Sequence, residues 1–242
     1  MKFALNKEIK DFFNQNGWIN FDDFVPETKL IHINKKIDEV LAKRINIPSY
    51  RLSQIHAEIL YNHGHDLWRN DPELKQFICQ KSFVEIASEL IEQKPLRLGY
   101  DQLLPSFATD SHLYLHDKDK KIYEPFIFQN TTLEEISSLD NILAGALVAL
   151  EERASTAISD SNEGKDIFPV LSGQVTFFKP DILVDWSRIA HYHPQRFYLI
   201  VYTGSHSSYI VKPKDPQGHY LKHLGYIIND KLNDKLHPIV YR

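Results

Sequence analysis

Residues 168–202, FPVLSGQVTFFKPDILVDWSRIAHYHPQRFYLIVY, constrain the fold more than any other part of the chain. They read as strand, tight turn, strand, loop, strand. A turn at Ser172-Gly173 feeds the apolar run Val175-Thr176-Phe177-Phe178. A Lys179-Pro180-Asp181 turn follows, then Ile182-Leu183-Val184. After a loop rich in His and Pro, Arg196 opens the β-rich run 197–202.

The chain divides into a helical first part and a strand-rich second part. Leu30, Ile33, Ile37, Val40 and Leu41 recur at helical spacing after Pro26-Glu27-Thr28. Leu52, Ile55, Ile59 and Leu60 predict a second helix after Pro48-Ser49. Ser82 and Glu85 read as a capping box ahead of Phe83, Ile86, Ala87, Leu90 and Ile91. Beyond Pro95 the pattern changes to short apolar runs broken by Pro, Gly, Asp and Asn, which signals strands. The polar stretch 155–166 reads as a surface loop. With no convincing linker, one domain is expected. It comprises a mainly helical flank over 1–95, a β core over 96–210 and a C-terminal extension over 211–242. The fold class is α+β with a β-barrel-like core and helices packed on its outer face.

Composition narrows the function classes. The balance of 28 basic and 32 acidic residues gives −4, with no block of like charge. Neither a nucleic-acid nor a membrane-surface partner is expected. The N-terminus MKFALNKEIKDFF is too short and too charged for a signal peptide, and no apolar run approaches membrane-spanning length. Cys79 is the single cysteine, which excludes an internal disulfide framework and fits a reducing, cytoplasmic setting. The 14 Phe and 12 Tyr suit a β-rich core or an apolar pocket.

The stretch 168–202 resembles the last strands of the double-stranded β-helix in the non-haem iron, 2-oxoglutarate-dependent oxygenases. The branch it is most similar to is the phytanoyl-CoA dioxygenase family. FFNQNGWINFDDFVPETKL resembles that family's opening: a helix, an Asn-Gly turn, a short strand and a Pro-capped helix. KPLRLGYDQLLPS, residues 94–106, resembles the strand that enters the barrel and walls the site. LDNILAGALVALE, residues 139–151, resembles the strand after the first metal motif. Residues 205–242 carry no motif of the family.

The resemblance implies a double-stranded β-helix over about residues 96–209, with Fe(II) and 2-oxoglutarate as cofactors. Such iron is held by two His and one carboxylate on one face. The expected His-x-Asp is not found. The register of residues 139–151 places Gln129-Asn130-Thr131 there instead. Counted back from Arg196 by the family's usual interval, the distal position is Asp185. The metal-position equivalents are thus Gln129, Thr131 and Asp185, of which one supplies negative charge. His112, His116, Asp117 and Asp119, with His191 and His193, offer a displaced ligand set. A charged hairpin turn and polar loop residues account for them more simply. His63 and His65 read as cationic or capping residues near a helix end.

Arg196 is the leading site candidate. It heads an apolar strand, where an unpaired guanidinium would be unfavourable. Its expected partner is a carboxylate, either a ligand's or that of Asp185 or Asp181. Gln102 and Tyr100 would face it as further cosubstrate-binding residues. Trp186 reads as core. Two functions stay open. One is a divergent, non-catalytic member binding a small carboxylate-bearing ligand or a partner. The other is an active dioxygenase of a small or lipid-like substrate.

Overall fold

The computed structural model describes residues 5–106, 130–151, 167–186, 188–189, 194–218 and 220–242. Gln129, His112, His116, Asp117, Asp119, His191, His193 and the polar stretch 155–166 lie outside them, with the hairpin expected around His112.

The first part of the chain is helical, as its periodicity predicts. Helix α1 (Lys7–Asn16) ends at Gly17, whose φ of +80° lets the chain turn into strand β1 (Trp18–Phe21). Helix α2 (Glu27–Ile45) buries Leu30, Ile33, Ile37, Val40 and Leu41, the stripe read from the sequence. The second expected helix is broken. Ser49–Gln54 form a 3-10 turn, Ile55 and His56 are extended, and helix α3 covers only Ala57–His63. Helix α4 (Pro72–Ile78) starts at an Asp71 cap. Helix α5 (Lys81–Ile91) starts two residues earlier than the proposed capping box requires. Gln80 is its N-cap, so Ser82 lies inside the helix and no box forms.

The second part is an antiparallel β structure. The strands are β2 (Leu96–Leu104), β3 (Asn130–Thr131), β4 (Ile142–Ala149), β5 (Val175–Phe178), β6 (Val184–Asp185) and β7 (Phe197–Gly204). A short helix α6 (Tyr220–His223) and strand β8 (Ile239–Tyr241) follow. A curled six-stranded sheet has the order β1-β5-β4-β7-β2-β8, and β3 pairs with β6 in a smaller one. The core is thus the expected double-stranded β-helix, with an edge strand added from each end of the chain. Among the described residues no helix is long and apolar enough to cross a membrane.

The major sheet is buried on both faces. Tyr198, Ile200 and Tyr202 of β7 meet helices α2, α4 and α5 in one apolar cluster. Phe197, Leu199 and Val201 join Leu147, Phe178 and Trp186 in a second, inside the barrel. A β-bulge at Gly99 decides which residues of β2 face inward. Leu98 pairs with Tyr202 on the helix side, but Tyr100 pairs with Val201 on the barrel side. Glycine suits the bulge, because an added Cβ would lie 3.0 Å from the Thr203 methyl and 3.1 Å from the Val201 carbonyl and would require them to give way. The one-residue shift turns Tyr100 and Gln102 into the barrel and Asp101 towards the helices.

Candidate functional site

The minor sheet brings the two described metal-position equivalents together. Asn130 pairs with Asp185, and Thr131 with Val184. Their inward row is not a ligand set. Thr131, Val184 and Trp186 are buried, whereas Asp185 is half-exposed between two inward neighbours. Trp186 is core, with Phe168 at 6.1 Å and Phe178 at 6.5 Å, both edge-on. Phe168 also meets Phe197 at 5.3 Å. Among the described residues no group of three His, Cys, Asp or Glu is placed to hold a metal ion. The described residues of this inward row, Thr131, Val184 and Trp186, offer neither an imidazole nor a carboxylate to the iron that the fold family implies.

Arg196 is placed on the other side of the sheet. It shares the parity of Tyr198 and Ile200, which face the helices. Its Nε donates to Glu151 at 2.9 Å, one terminal nitrogen to Asp38 at 2.7 Å, and the other to Asn34 at 3.1 Å. The expectation of a carboxylate partner holds, but the partner is neither Asp185 nor Asp181. Burial works against the charge, and Asp38 and Glu151 outweigh it, so the guanidinium's pKa is raised. Arg196 therefore does not point into the barrel or share a pocket with Gln102 and Tyr100. The inward residues of β7 are Phe197, Leu199, Val201 and Thr203, none of them cationic.

Tyr100 and Gln102 do line a partly open cavity of about 30 Å³ inside the barrel. His65 lines it too, held by a short bridge between the 63–66 turn and β2. The Asp66 amide donates to the Asp101 carbonyl at 2.8 Å and the Leu103 amide to the Gly64 carbonyl at 2.8 Å. Arg44, in the last turn of α2, gathers that turn through the carbonyls of His63, His65 and Asp66. The Asp101 carboxylate receives the Leu67 and Trp68 amides from the helix side.

His65 is a buried neutral ring rather than a cationic cap. The Gln102 amide nitrogen donates to the carbonyls of Tyr61 and Leu103, which leaves its oxygen for His65 Nδ1 at 3.1 Å. Nδ1 therefore carries the proton and Nε2 the lone pair. Burial drives the His65 pKa down, against the charges of Asp66 and Asp215. The Tyr100 hydroxyl shares a hydrogen bond with Ser137 at 2.5 Å, and burial raises its pKa.

The C-terminal segment closes the cavity. Asp215 accepts the Ser138 amide on one oxygen and the Gln217 amide on the other, each at 2.7 Å. Tyr220 stands edge-on to His65, ring centres 4.4 Å apart. His237 is clamped between Arg69, which donates to Nε2 at 3.1 Å, and the Tyr226 hydroxyl at 2.9 Å from Nδ1. Strand β8 then pairs with the edge of β2. Sequence reasoning set His65 aside as a helix-end residue and missed Asp215, Gln217, Tyr220 and His237. Asp215-Pro216 and Gly218 signal only a turn.

No family model matches the chain, and no curated protein matches it. Solved structures do. The non-heme alpha ketoglutarate dependent carbocyclase SnoK from nogalamycin biosynthesis is 15% identical, with a TM-score of 0.64 over 97% of this chain and 96% of that one. The epimerase SnoN from nogalamycin biosynthesis is 13% identical, with a TM-score of 0.53 over 98% of each. CytC3 with Fe(II) and alpha-ketoglutarate is 10% identical, with a TM-score of 0.55 over 88% of this chain and 82% of that one. The chain therefore has the fold of the non-haem iron, 2-oxoglutarate-dependent enzymes.

Proposed function

We propose that the protein is a divergent member of this fold, of the phytanoyl-CoA dioxygenase-like branch, that binds a small ligand in its barrel without iron-dependent oxidation. The observation that carries the reading is the inner wall beside the minor sheet. Thr131, Val184 and Trp186 face inward there, and Phe168, Phe178 and Phe197 pack around the indole. Imidazole and carboxylate ligands are what Fe(II) of this kind needs, and that wall offers a hydroxyl and apolar groups. Anchoring a cosubstrate carboxylate needs a cation on the inner face of β7. The nearest in sequence, Arg196, is engaged by Asp38 and Glu151 outside the barrel. The same engagement argues against a carboxylate-bearing ligand held by Arg196.

The test loads the purified chain with Fe(II) without oxygen, adds 2-oxoglutarate, admits air and measures succinate. The expected result is no iron-dependent succinate above a metal-free control. Succinate that depends on iron and is lost when His112, His116, His191 or His193 is replaced by Ala would restore the dioxygenase reading.

A further inference from the structure

We propose that the cavity between β2 and residues 215–217 and 220–221 binds an uncharged hydroxyl group, the hydroxymethyl end of a small alcohol or polyol. The proposal deepens the binding reading above and rests on it only in placing the ligand inside the barrel. Size is the first argument. A cavity of about 30 Å³ exceeds the roughly 10–15 Å³ that one water needs and holds one or two groups of that size.

The hydrogen-bond inventory is the second. His65 Nε2 keeps its lone pair and has no hydrogen-bond partner among the described residues, since Nδ1 serves Gln102. The Gln217 side-chain nitrogen is buried without a partner among the described residues. Asp215 lends each oxygen to one backbone amide, which leaves further lone pairs free to accept. All three residues line the one cavity. A hydroxyl is the smallest group that donates to His65 or Asp215 while accepting from Gln217. An ammonium has donors only and would leave Gln217 unsatisfied.

Charge is the third. The nearby cations are already engaged. Arg44 holds three carbonyls, and Arg69 holds Asp66, the Leu236 carbonyl and His237. A ligand carboxylate would meet Asp66 and Asp215 with no free cation among the described residues to offset them. Leu139 and Leu199 supply an apolar wall for the attached carbon.

The experiment is a ¹H–¹⁵N NMR titration of the full chain with ethylene glycol, and separately with acetate and methylammonium. Saturable shifts are expected for glycol at the amides of Ser138, Gln217 and Tyr220, with binding about tenfold weaker for both ions. Gln217→Met, which keeps chain length and loses the donor, is expected to weaken glycol by a similar factor. Shifts that never saturate mean a cavity that holds water only, and overturn the proposal. So does equal or tighter binding of either ion. The wild-type titration decides the matter even if Gln217→Met does not fold. Glycol binding and succinate formation are separate readouts, so either reading can fail alone.

Discussion

The inner face of the major sheet is built in two ways along its length. Beside Phe197, where β7 pairs with the end of β2 at Leu104, the barrel is filled by the aromatic group of Phe168, Phe178, Trp186 and Phe197. Beside Leu199, towards the Gly99 bulge, it holds a cavity instead, with His65, Gln102, Asp215 and Gln217 set among apolar walls. The aromatic part comes entirely from the chain between β5 and β7 and their approach. The polar part is assembled from four distant segments: the 63–66 turn, β2, residues 136–139 and the C-terminal extension. One barrel thus carries a region fixed by packing and a region fixed by hydrogen bonds. They are expected to answer differently to substitution.

The packed region predicts the largest effect. Trp186 is fully buried among rings on several sides. Trp186→Ala should lower stability by about 3–5 kcal/mol through lost burial and the void left behind. Urea denaturation would show this as a lower midpoint with an unchanged slope. A loss under about 1 kcal/mol would mean that the site collapses freely and the contrast with the cavity is false.

A second effect tests which face Arg196 belongs to. Its side chain is 16% exposed and lies between Asp38 and Glu151. Arg196→Ala leaves those carboxylates facing each other and should destabilise by about 3 kcal/mol, discounted somewhat for the partial exposure of both acids. A double-mutant cycle with Asp38→Ala should recover much of the loss. Glycol binding should stay unchanged in Arg196→Ala. Loss of binding at unchanged stability would return Arg196 to the barrel.

The fold was legible in the sequence to a degree that the site was not, and the reason is physical. Helix α2 showed a clean stripe because one face is wet. The switch to short apolar runs after Pro95 located the β core. Strand β7 gave no parity, because apolar residues cover both its faces and alternation carries no signal there. Arg196 was therefore read onto the wrong face. Tyr100 and Gln102, expected to face Arg196 in one pocket, line a cavity without it, and their inward direction depends on a bulge that a single Gly only suggests. The break between the 3-10 turn and α3 left Ile59 42% exposed, which the helical spacing did not foresee. Asp215 and His237 reach the cavity and its clamp through long-range contacts that no local pattern encodes.

The smallest effect concerns the clamp that holds the C-terminal extension over the cavity. His237 is faced by Arg69, Arg97, Asp66, His65 and the Tyr226 hydroxyl. Burial and then the Arg69 charge push its pKa down to about 3. The hydrogen bond from Arg69 to Nε2 agrees, because a guanidinium donates only to a ring nitrogen that bears no proton. The unfolded chain titrates this ring near 6.5. Between those values the unfolded state holds a proton that the folded state lacks. The stabilisation is therefore complete above about pH 6.5 and declines as the pH falls towards 3, by at most about 1.4 kcal/mol per pH unit. His65, lowered by its own burial, adds a loss of the same sign. His237→Gln keeps an acceptor for Arg69 and removes the titration. Its stability, measured by urea denaturation at pH 7 and at pH 5, should fall less between the two than the wild type's does. That window lies above the ordinary carboxylate range, and Asp101, which burial pushes up to about 7, titrates in both proteins alike. An equal fall in both proteins would show that the clamp is not what carries the acid sensitivity.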